Sequence, residues 1–231
     1  MNFFLFDIIY ANIFLFFFTM TDFLPLFPLQ MVVFPGELLN LHIFEPRYRQ
    51  LVRECHANRT TFGIPCFLKN KITEIGTEIK LLSIEKRYPN GEMDIKTQAL
   101  GRFVLQDFYN ETPGKLYAGA DVERLEEEDI VGNFNLKEEI FEKLMELFSM
   151  MGVQKTPNFE LAAFSTFSAG HYIGLSLEEE YELLKIIGEE NRQHFVLSQL
   201  NKLIPTMREV ENLKNRVKMN GHFKNIVPPN F

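Results

Sequence analysis

The chain has 231 residues, 46% hydrophobic and 24% charged, with a formal net charge of −7. This is ordinary globular composition, sufficient for one large domain or two small ones. The acidic balance argues against a broad nucleic-acid footprint, and two cysteines, Cys55 and Cys66, exclude a disulfide scaffold and fit a reduced, cytoplasmic chain.

Residues 1–19 are almost entirely aromatic and aliphatic. No Lys or Arg precedes the run, as a signal peptide would require. Asp7 and Asn12 interrupt it, and it falls short of the roughly 20 apolar residues of a spanning helix. Met20-Thr21-Asp22 follows like an ordinary start, so residues 1–19 are read as the product of an unused upstream start codon, with a membrane anchor as the alternative.

From Phe23 the chain reads as strands and turns. Phe23–Val52 is apolar and punctuated by Pro25, Pro28, Pro35 and Pro46. Pro46 suits the first turn of a short helix, with Tyr48, Leu51, Val52 and Cys55 on one face. Phe62–Leu68 is a strand whose Pro65 demands an edge or a bulge. Glu78–Ile84 is a further strand, and Pro89-Asn90-Gly91 reads as a type I′ hairpin turn. Met93, Ile95, Thr97 and Ala99 then alternate with polar residues as a half-buried strand. Gly101 breaks that pattern, Phe103–Phe108 resumes it, and Leu116–Leu125 completes the series.

An acidic link, Glu126–Asn133, precedes a change to helical periodicity. Asn135 with Glu138 has capping-box spacing ahead of Ile140, Leu144, Leu147, Phe148 and Met151. Pro157 starts a second helix ending near Gly170. Ser176 with Glu179 repeats the capping box, and a fourth helix begins near Glu189. Pro205 must break, kink or restart it. Leu203, Val210 and Val217 recur at seven residues with Leu213 between them, a stripe expected to pack along the bundle; Asn220-Gly221 reads as a C-cap. The expected organisation is 20–125 β domain, 126–134 linker, 135–221 helical bundle and 222–231 tail.

The stretch Phe23–Val52 resembles the opening of the Lon N-terminal, substrate-binding domain. Its bearers are Pro25, Phe27, Pro28, Phe34, Pro35, Gly36, Phe44, Glu45, Pro46, Arg47 and Tyr48. Gly63-Ile64, Gly76-Thr77-Glu78-Ile79, Asn90-Gly91, Gly101-Arg102-Phe103, Leu175–Glu180 and Arg192 continue the likeness in order, over about residues 22 to 220. The resemblance implies an α+β fold: a twisted, PUA-like β pseudo-barrel with a short helix, then a C-terminal α-helical bundle. It also implies recognition of exposed apolar segments of protein substrates. Lon's ATPase and peptidase are not carried over, because the chain holds no Gly-x-x-x-x-Gly-Lys-Ser/Thr loop and ends at Phe231. A stand-alone member is expected.

No constellation for chemistry competes with this. His42, His56, His171, His194 and His222 are scattered without metal-ligand spacing. Ser165, Ser168 and His171 share helical spacing but lack a nucleophile elbow. Glu45-Pro46-Arg47-Tyr48-Arg49 is read as structural, with Glu45 at the helix N-terminus, rather than as a groove lining. Gly36 and Gly101 are read as turn or bulge glycines. Met145, Met150 and Met151 are read as bundle core rather than an adaptive surface. The expectation is a non-catalytic protein-binding module without cofactor or metal, its partners unfolded or specific proteins, serving as adaptor for a separate protease or chaperone. An RNA-binding PUA-like module and a hydrolase with an unrecognised site are the alternatives.

Overall fold

Two periodicities divide the molecule. In a computed structural model describing residues 22–126, 131–152 and 160–222, the chain forms two units that meet at Glu126 and Glu127. The expectations for residues 1–19, for a helix start at Pro157 and for the tail beyond His222 fall outside the described residues.

The first unit is an antiparallel sheet of β1 (Asp22–Pro25), β2 (Leu38–Ile43), β3 (Phe62–Leu68), β4 (Lys71–Arg87), β5 (Met93–Tyr109) and β6 (Gly119–Leu125), with helix α1 (Pro46–Asn58) between β2 and β3. The order is β1-β6-β5-β4-β3, and β2 pairs with β5 outside that path. β5 serves two partners in succession: Met93–Gln98 lies against β2, and Arg102–Tyr109 against β6. At the changeover, Leu100 and Gly101 oppose the single residue Glu78, which places Gly101 in a bulge.

The ladder is open, and the proline-rich segment after β1 spans its two ends. Leu26 bridges Gly63 and Leu29 bridges Cys66, both in parallel. The amides of Phe27 and Leu29 donate to the carbonyls of Gly63 (2.8 Å) and Pro65 (3.3 Å), and Phe67 N–H donates to Leu29 O (2.7 Å). Alternate amides of an extended chain point the same way, so Pro28, between the two donors, gives up no bond toward β3. The punctuated run is therefore a seam that turns the sheet into a pseudo-barrel.

The inward faces follow the alternation. Met93, Ile95, Thr97 and Ala99 are buried, with Leu39 and Ile43 from β2 and Phe62 and Ile64 from β3. α1 lays Tyr48, Leu51, Val52 and Cys55 onto this core, the face set by helical spacing. Two buried hydroxyls are satisfied by backbone: Thr77 Oγ1 donates to Val33 O (2.5 Å) and Thr97 Oγ1 to Leu39 O (3.1 Å). β3 pairs with β4 on one side and is bridged by the seam on the other; it is irregular between Pro65 and Phe67, the bulge that Pro65 allows.

The turn type and the strand lengths differ from expectation. The Tyr88–Gly91 turn closes with Gly91 N–H donating to Tyr88 O (2.9 Å), and only Gly91 has positive φ (85°). Pro89 presets φ near −65°, so the turn is type I and the left-handed residue falls at Gly91 instead of Asn90. Two consecutive left-handed residues occur instead at Lys69 (φ 49°) and Asn70 (φ 63°), which join β3 to β4. β4 and β5 are each 17 residues long, so Gly101 interrupts the pairing without ending the strand.

The second unit is helical: α2 (Phe134–Met151), α3 (Thr166–Ala169) between single 3₁₀ turns at Leu161–Ala163 and Gly170–Tyr172, α4 (Leu177–Lys185) and α5 (Glu189–His222). α2 starts earlier than the capping-box spacing suggests, because Asn133 is the cap: its Oδ1 accepts from the amides of Asn135 (3.0 Å) and Leu136 (3.3 Å). The Ser176/Glu179 capping box is present in full. The segment expected to be one helix to Gly170 is broken among its described residues, since Phe164 and Ser165 are extended. Thr166 explains the break: its N–H and Oγ1 both donate to the buried Glu189 carboxylate (2.8 and 2.9 Å). Arg192 Nε donates to the same carboxylate (3.1 Å), and the guanidinium lies 4.3 Å from the centre of the Phe167 ring.

Pro205 neither breaks nor restarts α5, which runs 34 residues through it and through Asn220-Gly221. Ile140, Leu144, Leu147 and Phe148 of α2 are buried, as are Val196, Leu200 and Ile204 of α5. The heptad stripe packs only at its start: Leu203 is half-buried, but Val210, Leu213 and Val217 are exposed, because α2 accompanies only the earlier part of α5, Arg208 pairing with Glu146. The methionines flank the core instead of filling it, Met145 and Met150 half-buried and Met151 exposed.

Candidate functional site

A groove opens where the seam, α1 and the β3–β4 hairpin converge. After the Pro65 irregularity the strand phase shifts, and Phe67 turns outward with 39% of its surface exposed. Ile72 faces it across the hairpin, in register with Phe67. Phe108, 40% exposed at the far end of β5, joins them, with Leu26, Pro28 and Leu29 of the seam as a wall. The cavity measures about 390 Å³. Beyond Phe67, Ile72 and Phe108 it runs into a second depression of about 520 Å³, walled by Leu105 and Thr73 and edged by Glu74. The lining is mainly apolar, with a polar rim that includes Gln30, Arg47, Asn70, Lys71, Glu74 and Asn110, the pattern of a surface that accepts apolar side chains.

Two members of the Glu45–Arg49 cluster lie at this groove. Arg47 and Tyr48 line it from the first turn of α1. Tyr48 is nonetheless mainly core: its ring centre is 3.9 Å from that of Phe27, and burial pushes its hydroxyl pKa up. Arg47 sits 4.5 Å above the Tyr48 ring and pairs with Glu45 (2.8 Å). Glu45 is the residue before the helix, but its side chain caps no amide; the Arg47 guanidinium holds it instead. Arg49 donates to Asn90 O (2.6 Å), tying α1 to the Tyr88–Gly91 turn.

The remaining signature residues are distributed through the fold. Pro25 ends β1, and Pro46 is in the first turn of α1. Phe34 is fully buried; Pro35 and Gly36 form a turn in which Glu37 N–H donates to Phe34 O (3.2 Å) and Gly36 adopts φ 90°. Phe44 is exposed and stacked on His42, with ring centres 6.3 Å apart. Arg102 and Phe103 are buried, Phe103 against Leu24 of β1 and the seam residue Leu26. Phe67, Ile72, Leu105 and Phe108 carry no motif. Their convergence depends on barrel closure, and only the phase change after Pro65 hinted that Phe67 would face out.

Ion clusters brace the unit around the groove. Glu78 is almost buried, and Arg124 binds both its oxygens (2.7 and 3.0 Å), with Thr61 Oγ1 donating at 2.5 Å. Burial pushes the Glu78 carboxyl up, but Arg124 and Thr61 outweigh it and hold the pKa below the usual range. Arg124 also reaches Asp22 (2.7 Å). Glu54 accepts from Lys115 (2.7 Å) and Tyr117 (2.5 Å), pinning the β5–β6 connection to α1. Exposed His42 lies between Asp94 (2.7 Å) and Glu92 (3.3 Å), and Tyr88 OH donates to Asp94 (2.7 Å). In the helical unit His171 pairs with Glu180 (2.7 Å), and Ser168 donates to Ser165 O (2.6 Å). Among the described residues no helix is long and apolar enough to cross a membrane.

These features define the class as an α+β protein: an open antiparallel six-stranded sheet whose ends are bridged by a proline-rich seam into a pseudo-barrel, with one embedded helix, and a helical unit later in the chain. The model of the family described as the ATP-dependent protease La (LON) substrate-binding domain matches residues 23–202, and the chain belongs to that family. The fold is similar to that of a Lon N-terminal domain protein from Xanthomonas campestris: 24% identity, TM-score 0.60, covering 77% of this chain and 98% of that one. It is also similar to the N-terminal domain of the Mycobacterium avium complex Lon protease: 14% identity, TM-score 0.58, covering 78% and 98%. No curated protein matches the chain.

Proposed function

We propose that this chain is a non-enzymatic protein-recognition module that binds exposed apolar segments of unfolded or specific proteins. Family membership supports protein binding, and the observation that carries the reading here is the apolar groove of Phe67, Ile72 and Phe108. Its two depressions suit a few apolar side chains of an extended client, with little demand on exact sequence. The module acts in the cytoplasm as an adaptor that presents clients to a separate protease or chaperone.

The test compares binding of a denatured model protein with that of its folded form, for the full chain and for a Phe67→Ser/Phe108→Ser variant. Selective binding of the denatured form, weakened about tenfold or more by the double substitution, is expected. Equal binding of both forms, or none, overturns the proposal. Salt-sensitive RNA binding in its place supports the RNA alternative.

A further inference from the structure

A second surface lies at the other end of α1, about 16 Å along the helix axis from Arg47 at 1.5 Å per residue. It is a depression of about 780 Å³ between the last turn of α1 and the outer face of β4 and β5. Leu82 and Leu100, 43% and 44% exposed, form its floor, and Leu81 at its edge packs against the core. Beyond it, strand register places Lys80, Gln98 and Leu38 in one row across β4, β5 and β2, with Leu38 62% exposed.

The charge around this floor has one sign. Arg59 and Lys80 line the depression and no carboxylate does, in a chain with 31 acidic and 24 basic residues. Among the described residues Arg59 and Lys80 enter no ion pair. The nearby carboxylates are engaged: Glu78 with Arg124 and Thr61, Glu37 with the amide of Phe34 (3.2 Å). The end of a helix normally repels anions. Here Cys55 O is already taken by the amides of Arg59 and Thr60 as the chain turns left-handed at Arg59 (φ 56°).

We infer that this surface is a docking site for an acidic, leucine-rich peptide segment of a partner protein, separate from the groove proposed for clients. Apolar side chains of the partner cover Leu82 and Leu100, and its carboxylates meet Arg59 and Lys80. A nucleic acid fits less well: phosphate binding needs many clustered cations and gains nothing from a leucine floor.

The experiment is a fluorescence-anisotropy titration of the full chain with a labelled Glu/Leu peptide and with its Lys/Leu counterpart, at low and high salt. The Glu/Leu peptide is expected to bind more tightly and to weaken with salt. Lys80→Glu and Leu82→Ser, both at exposed positions, should each weaken it about tenfold, while Phe67→Ser/Phe108→Ser should leave it unchanged. Circular dichroism verifies that each variant is folded, and Lys80→Gln serves if Lys80→Glu is not. Equal affinity for the two peptides, indifference to the Lys80 and Leu82 changes, sensitivity to the Phe67/Phe108 change, or displacement of the peptide by single-stranded RNA would overturn the inference.

Discussion

The ring of Phe103 occupies the place where Gly76 would carry a side chain: a Cβ there would lie 2.5 Å from Phe103 Cζ and 2.9 Å from Pro65 Cα. Gly63 receives the same ring from the neighbouring strand, at 2.8 Å. Three short blocks, far apart in sequence, thus meet at one contact. Gly76→Ala should destabilise the protein by about 1–3 kcal/mol, because fixed backbone as well as the ring must yield. Gly36→Ala meets open space but strains a backbone at φ 90°, and should cost about 1 kcal/mol. Denaturant midpoints at unchanged slope would verify both; an unaltered midpoint for Gly76→Ala would contradict the contact.

Glu78 makes the β unit acid-sensitive in a defined direction. Its folded pKa lies below the ordinary carboxylate value of 4.5, so the stability it contributes is complete above about that pH and is lost as pH falls through the lower folded value. Glu78→Gln should remove this part of the acid slope and cost about 1–3 kcal/mol at neutral pH, since Arg124 and Thr61 lose a buried acceptor. Urea titrations across the acidic range would show it.

His42 works with the opposite sign. The hydrogen bond to Asp94 is the main influence raising its pKa above 6.5, with smaller contributions from the charges of Asp94 and Glu92. Its contribution is fully present below that pH and fades as pH rises through the raised folded value. The His42 ring proton shift, followed by NMR, should titrate above 6.5 and return toward it in Asp94→Asn.

In the helical unit, Glu189→Ala should cost about 3–5 kcal/mol, because it strips the buried Arg192 of a carboxylate and Thr166 of its acceptor. Thermal unfolding would measure it. A loss within experimental error would mean that the polar core does not hold α3 to α5.

Polar substitution of Val210, Leu213 or Val217 should change stability by no more than about 0.5 kcal/mol, since these residues are exposed. Leu200→Ala, on the buried face of the same helix, should cost about 2–5 kcal/mol. Similar losses from both sets would mean that the stripe is covered.

The features legible in the sequence were local. Pro46 with the Tyr48–Cys55 face, the Ser176/Glu179 box and the irregularity at Pro65 each follow from residues within a turn or two of one another. The left-handed pair at Lys69 and Asn70 was not legible, because Lys carries no preference for positive φ. Neither was the short α3, whose break is imposed by Glu189, 23 residues further along. The groove is the extreme case: its walls come from the seam, α1, the β3–β4 hairpin and the end of β5, and no local pattern marks Phe67 or Phe108 as neighbours.

The pairing of Asp22 with Val122 dictates an order of assembly. Hairpins between β3 and β4 and between β4 and β5 can form from neighbouring segments as soon as these leave the ribosome. The first strand has no partner until β6 has emerged, a hundred residues later. Its contacts therefore carry a high loop-closure entropy and form late. Until then Leu24 and Leu26, which share a core cluster with Ala120 and Val122 of β6, lack that cover. For that interval of synthesis, a protein proposed to recognise exposed apolar segments itself displays one.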